Sequence, residues 1–169
     1  MSVVGITLNL SVKIYLIHQF VKDVQQIYLE MVKLENMLKL YINSFIIVFL
    51  DQLTKKIIVA NMMIRDIIEV TFFLDIIHVR NTGAAFSFLH DAGGWQRYFL
   101  VTISLLVSIA LPFYIKKNLH QPLLAISLSL ILGGAVGNLI DRLFLGYVID
   151  FISFHYDKTI FWPAFNIAD

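Results

Sequence analysis

The chain contains no cysteine, which excludes disulfides, thiolate metal sites and cysteine nucleophiles and says nothing about redox compartment. Charge is scarce as well. Asp, Glu, Lys and Arg make up 15% of the 169 residues, against ~25% in an ordinary soluble domain. The net charge of +1 provides no electrostatic footprint for nucleic acid. No glycine loop of the Walker type occurs. The five histidines, His18, His78, His90, His120 and His155, include no helical pair at metal-ligand spacing. Internal repeats and low-complexity tracts are also lacking. What the chain has in excess is apolar: 59% of residues are hydrophobic and the mean hydropathy is +0.78. That leaves too little polar surface to coat a soluble globule of this size. The composition is that of an integral membrane protein.

A spanning helix needs ~20 mostly apolar residues. Two segments without any charge, Tyr98 to Ile115 and Pro122 to Ile140, meet this, and the short stretch from Lys116 to Gln121 makes them an antiparallel hairpin. Leu40 to Ala60 is a third candidate, although its second half carries Asp51, Lys55 and Lys56. Charges at bilayer depth face protein or an interface, and Asp51 and Lys55 stand at i, i+4, where they can pair. The expected spans are therefore about 40–60, 97–116 and 121–142. The basic Lys116-Lys117 loop, with Lys33 and Lys39, points to the cytoplasm and puts residues 61–97 and 145–169 outside, although Arg65, Arg80 and Arg97 dilute that bias. Within the outer segment, Ile67–Phe73 and Ile76–Val79 have the β-branched and aromatic content of strands. Asn81-Thr82-Gly83 ends them, and Asp91–Gly94 is a loop. A small extracytoplasmic sheet lying against the membrane is expected.

Residues 1–36 lack a spanning run. Ser11 to Phe20 is short, is interrupted by Lys13 and His18, and has no small-residue cleavage site after it. The segment reads either as an interfacial amphipathic helix or as sequence ahead of a later start at Met31 or Met37, and its role is open.

Polar residues inside so apolar a chain are informative. The third span ends Gly133-Gly134-Ala135-Val136-Gly137-Asn138-Leu139-Ile140-Asp141-Arg142. Gly133 and Gly137 permit close helix approach, and an amide, a carboxylate and a guanidinium then crowd one helix end. Alone, this reads equally well as a packing motif capped by an interface ion pair. Asp150 follows among valine, isoleucine and phenylalanine, and Asp169 closes Phe165-Asn166-Ile167-Ala168-Asp169. A carboxylate in such surroundings is costly unless partnered. Two brought together share one proton, so that one draws a proton from water while the other polarises a carbonyl. That is the logic of an aspartic protease, although interfacial acids are more often structural. Ser104, Ser108, Ser127 and Ser129 lie inside spans without a partner base and read as packing hydroxyls.

Four blocks, in order, resemble the signal peptidase II (lipoprotein signal peptidase) family: Asp51-Gln52-Leu53-Thr54-Lys55, Val79 through Ser87, Gly133 through Phe151, and Phe165 through Asp169. The resemblance covers about residues 38–169. It implies an intramembrane aspartyl endopeptidase that removes the signal peptide from diacylglyceryl-modified bacterial prolipoproteins, at the extracytoplasmic face of the cytoplasmic (inner) membrane. The implied catalytic pair is Asp150 and Asp169. Asn81, Gly83, Asn138, Asp141, Arg142 and Asn166 are implied to line the site and hold the substrate backbone, with Asp51 and Lys55 as a structural or functional pair. It also implies four spanning helices, a small extracytoplasmic β-cradle, neither metal nor cofactor, contact with membrane lipids, and inhibition by globomycin. The chain departs from the family in two ways. Residues 1–36 form an N-terminal extension before a membrane domain at 37–169, and three spans are present where the family has four, so the sequence is expected to be truncated after Asp169. The competing readings are a non-catalytic membrane transport or assembly subunit, in which Asn138, Asp141 and Arg142 bind an ion or hold helices together, and an inactive fragment of the protease.

Overall fold

The computed structural model describes residues 9–83, 94–157 and 159–169. Helix α1 runs Leu10–Asn61, followed by β1 (Ile67–Thr71), β2 (Leu74–Asn81), α2 (Trp95–Lys117), α3 (Pro122–Phe144), β3 (Val148–Tyr156) and β4 (Ile160–Phe161). The chain divides into two units, residues 1–38 and 39–169. In the first, the described residues are one stretch of α1 with nearly every side chain exposed. The candidate span at 40–60 is thus the later part of a helix that begins at Leu10. It continues upstream because Ser11 to Lys39 contains neither proline nor glycine to interrupt it.

In the second unit, α2 and α3 are each long and apolar enough to cross a membrane. Their ends follow from the sequence. Lys116 and Lys117 occupy the last turn of α2, where cations complement the helix dipole. Pro122 opens α3, where its missing N–H costs nothing. The helices meet around Ile115, Ala125, Leu128 and Leu132, with Leu40 from α1 completing the cluster. A Cβ on Gly133 would lie 2.7 Å from Ile47 Cβ and 2.8 Å from the Ser44 carbonyl, so α1 and α3 touch along their backbones. Ser44 Oγ donates to the Ser129 carbonyl at 2.6 Å across that contact.

The four strands form one antiparallel sheet in the order β1-β2-β3-β4. The two strand segments expected from residues 67–79 are its first hairpin, and Thr71 pairs with Leu74 across the Phe72-Phe73 turn. The other half of the sheet was not foreseen. Val148–Tyr156 has the β-branched and aromatic content of a strand and is bounded by Gly146 (φ 88°) and Asp157 (φ 50°). A bulge between Ile76 and Val79 sets Val79 opposite Asp150 and Asn81 opposite Val148. Asn81 and Asp150 are therefore diagonal neighbours on one face, within side-chain reach. Ala84–Ser87 and Asp91–Gly93, part of the second motif block and of the expected loop, lie outside the described residues.

Candidate active site

Asp150, carried by β3, is 2% exposed. Asn81 Nδ2 donates to its Oδ2 at 2.9 Å and Asn166 Nδ2 to its Oδ1 at 2.6 Å. Asn81 is itself oriented: the backbone N–H of Gly83 donates to Asn81 Oδ1 at 2.9 Å, which turns the amide nitrogen to the carboxylate. Burial pushes the Asp150 carboxyl up to about 6. The Asn81 hydrogen bond pulls against it, the charge of Asp169 adds to it, and the Asn166 hydrogen bond and the Lys55 charge oppose it.

Asp169 receives Asn138 Nδ2 at 2.8 Å and the backbone N–H of Asn166 at 3.2 Å. Asn166, 2% exposed, thus bridges the two acids, its main chain on one and its side chain on the other. Its placement depends on the tight turn at the end of the described chain, where the Ala168 N–H donates to Asn166 Oδ1 at 2.8 Å and to Asp51 Oδ1 at 3.2 Å. A Cβ on Gly134 would collide with the Ala168 carbonyl, and one on Gly137 would come within 2.7 Å of Asp51 Oδ2 and 3.2 Å of Ala168 Cβ. These two glycines give the turn its seat on α3.

Both acids line a cavity of about 430 Å³, together with Asn81, Asn138 and Arg142 and an apolar wall of Val148, Trp162, Pro163, Ala164 and Phe165. Arg142 Nη2 donates to the Gly83 carbonyl at 3.1 Å. Asp141 goes elsewhere. Its carboxylate takes Lys55 Nζ at 2.9 Å, Gln52 Nε2 at 2.9 Å and the Ile149 N–H at 3.2 Å, and with Lys55 it lines a second cavity, of about 450 Å³. Consecutive residues on a helix point ~100° apart, so the adjacent acid and guanidinium serve different faces of α3 instead of forming one capping pair. Lys55 also meets Asp51 Oδ2 at 2.8 Å, and both residues are buried.

Every candidate residue thus falls into one connected network, with Asp51, Lys55 and Asp141 behind the cavity wall. Sequence reasoning missed two members. Gln52 ties α1 to the Gly137 carbonyl at 3.2 Å as well as to Asp141; a second polar side chain beside Asp51 in an apolar stretch was the signal. Arg97, at the start of α2, donates to the carbonyls of Arg142 at 3.0 Å and Leu143 at 2.9 Å, satisfying the end of the helix that carries Arg142.

In chemical terms, two carboxyl groups share one cavity, one of them buried with a raised affinity for its proton. Amide donors orient both, and an apolar wall stands beside them.

Residues 43–169 match the family model for signal peptidase (SPase) II. The chain is 47% identical over 133 residues to the lipoprotein signal peptidase of Teredinibacter turnerae, covering 78% of this chain and 79% of that protein. It is 50% identical over 127 residues to that of Acinetobacter baumannii, covering 75% and 72%. Among solved structures it resembles a bacterial membrane enzyme determined by the in meso method at 2.3 Å resolution, with a TM-score of 0.68 and 36% identity over 78% of each chain.

Proposed function

The chain belongs to the signal peptidase II family of aspartic peptidases, and we propose on that premise that Asp150 and Asp169 are its catalytic pair. The observation that carries this reading is the single cavity lined by both acids and bridged by Asn166. Asp150, whose carboxyl is raised to about 6, holds the shared proton. Asp169, held by its two N–H donors, takes a proton from a water molecule. The resulting hydroxide attacks the scissile carbonyl carbon as Asp150 protonates the carbonyl oxygen. On collapse the proton now on Asp169 passes to the departing amine, the C–N bond breaks, and the carboxyl proton returns to Asp150. Arg142, Gly83, Asn81, Asn138 and Asn166 shape the cavity and hold substrate backbone and carboxylates in register.

A lipoprotein signal peptidase acts on prolipoproteins. We propose further that the precursor's cysteine must carry diacylglycerol, that the apolar wall from Trp162 to Phe165 receives the apolar residues and lipid at the cut, and that a globomycin-type inhibitor competes for the same cavity. The proposed setting is the bacterial inner membrane, with residues 40–60 of α1 spanning beside α2 and α3, the sheet as a cradle at the outer surface, and the dyad at that face. In membranes carrying the full chain, a precursor with a diacylglyceryl cysteine is expected to lose its signal peptide in a globomycin-sensitive manner, and the unmodified precursor to survive. Equal processing of both precursors overturns the lipid requirement. Reporter fusions after Lys117 should read cytoplasmic and those after Gly94 extracytoplasmic. The reverse pattern overturns the orientation.

A further inference from the structure

Lysine has three N–H donors and no acceptor. Lys55, 2% exposed, places one hydrogen bond on Asp51 Oδ2 at 2.8 Å, one on Asp141 Oδ2 at 2.9 Å and one on Asn138 Oδ1 at 3.0 Å. The two carboxylates account for its charge. The third bond does something different, because an asparagine amide is nearly symmetric in shape and its orientation is set by its partners. With an ammonium on Oδ1, Asn138 can present only Nδ2 to Asp169, at 2.8 Å. The flipped amide would set N–H against the buried N–H₃⁺ of Lys55, where the clash is little screened, and a carbonyl against the exposed carboxylate of Asp169. The same polarity runs on to Asn166, whose Nδ2 donates to Asn138 Oδ1 at 3.2 Å and to Asp150 Oδ1 at 2.6 Å while its own Oδ1 accepts from the Ala168 N–H.

We propose that Lys55 is a positioning residue that fixes the direction of this amide chain and thereby makes Asp169 the base of the pair. The inference rests on the reading of Asp150 and Asp169 as the catalytic dyad. Lys55 touches neither acid. It acts on Asp169 through Asn138, two hydrogen bonds away. The charges of the site are coupled as well: Arg142 from α3 interacts with Asp169, Asp150 and Asp141, and Asp150 from β3 interacts with Asp169 and Lys55.

The test is the pH dependence of kcat/KM for the full chain in membranes. In Lys55→Gln, the glutamine still gives Asp51 and Asp141 an N–H each but cannot supply a third. The direction of the Asn138 amide is then held only by the 3.2 Å bond from Asn166 Nδ2, and the donor it presents to Asp169 is weakened. The acid limb of the profile is expected to move up by about one pH unit, with kcat/KM falling about tenfold or more at the optimum. Asn138→Leu breaks the chain at the next link and should move the same limb. The double variant should show no greater shift than Asn138→Leu alone, since both changes remove one connection. If Lys55→Gln does not insert stably, Asp51→Asn with Lys55→Met removes a matched pair of charges and serves instead. A purely structural lysine would scale the profile down without moving it, and additive shifts would mean that Lys55 reaches Asp169 by another route. Either result overturns the relay. If instead Asp150→Asn or Asp169→Asn still cleaves, the dyad itself falls, which is a separate observation.

Discussion

Asp150→Asn and Asp169→Asn are each expected to lower kcat/KM for prolipoprotein cleavage by about 10⁴-fold or more, ~5.5 kcal/mol in transition-state stabilisation, while membrane insertion is unchanged. Asparagine fills nearly the same space, so the amide network around each position keeps its shape. What is lost is the proton that Asp150 gives to the carbonyl, or the base that takes one from water. The measurement is single-turnover cleavage of a diacylglyceryl precursor, beside a folding readout such as protease resistance in the membrane. Cleavage by either variant within tenfold of the parent chain would remove that residue from the mechanism. The sign of the pH dependence follows from the same geometry. A carboxyl raised to about 6 is the acid only while it holds its proton, so kcat/KM should fall as pH rises through about 6. Asn81 donates to ionised Asp150 and so lowers its proton affinity. In Asn81→Ala the alkaline limb should therefore move to higher pH, even though overall activity drops. A limb unmoved by this change would mean that Asp150 is not the titrating acid.

The second large effect is expected at a residue with no functional group. In Gly134→Ala the new methyl meets the Ala168 carbonyl, which is backbone and cannot swing aside as a side-chain tip can. The turn that carries Asn166 and Asp169 must lift off α3. A displacement of ~1 Å in a catalytic group costs about 10²-fold, and forcing a methyl into a packed seam destabilises by ~1–3 kcal/mol. Activity should fall by about 10²-fold or more with a lowered melting temperature, whereas Ser127→Ala, on an exposed face of the same helix, should leave both unchanged. Wild-type turnover in Gly134→Ala would show that the turn is seated elsewhere.

The membrane class, the two apolar helices and the first hairpin were legible in the sequence because each depends on local composition: a long uncharged run, a short basic loop, a β-branched segment. The acids were legible for a related reason. A carboxylate among apolar neighbours is expensive, so Asp51, Asp141, Asp150 and Asp169 stood out as residues that had to have partners. The family motifs named those residues without saying who partners whom.

The pairing was decided by tertiary structure. Neighbours in sequence, Asp141 and Arg142, part to different faces of α3 because a helix rotates each residue by ~100°, while Lys55 and Asn138, far apart in sequence, meet because three glycines let α1, α3 and the terminal turn close on one another. The bulge between Ile76 and Val79 puts Asn81 within reach of Asp150, a register that composition cannot convey because β2 keeps its strand character whichever pairing it takes. Composition and spacing alone determined that this chain lives in a membrane and carries acids that need partners. Which acid each donor serves, and in which direction each amide points, depends on long-range contacts that exist only once the helices and the sheet have packed.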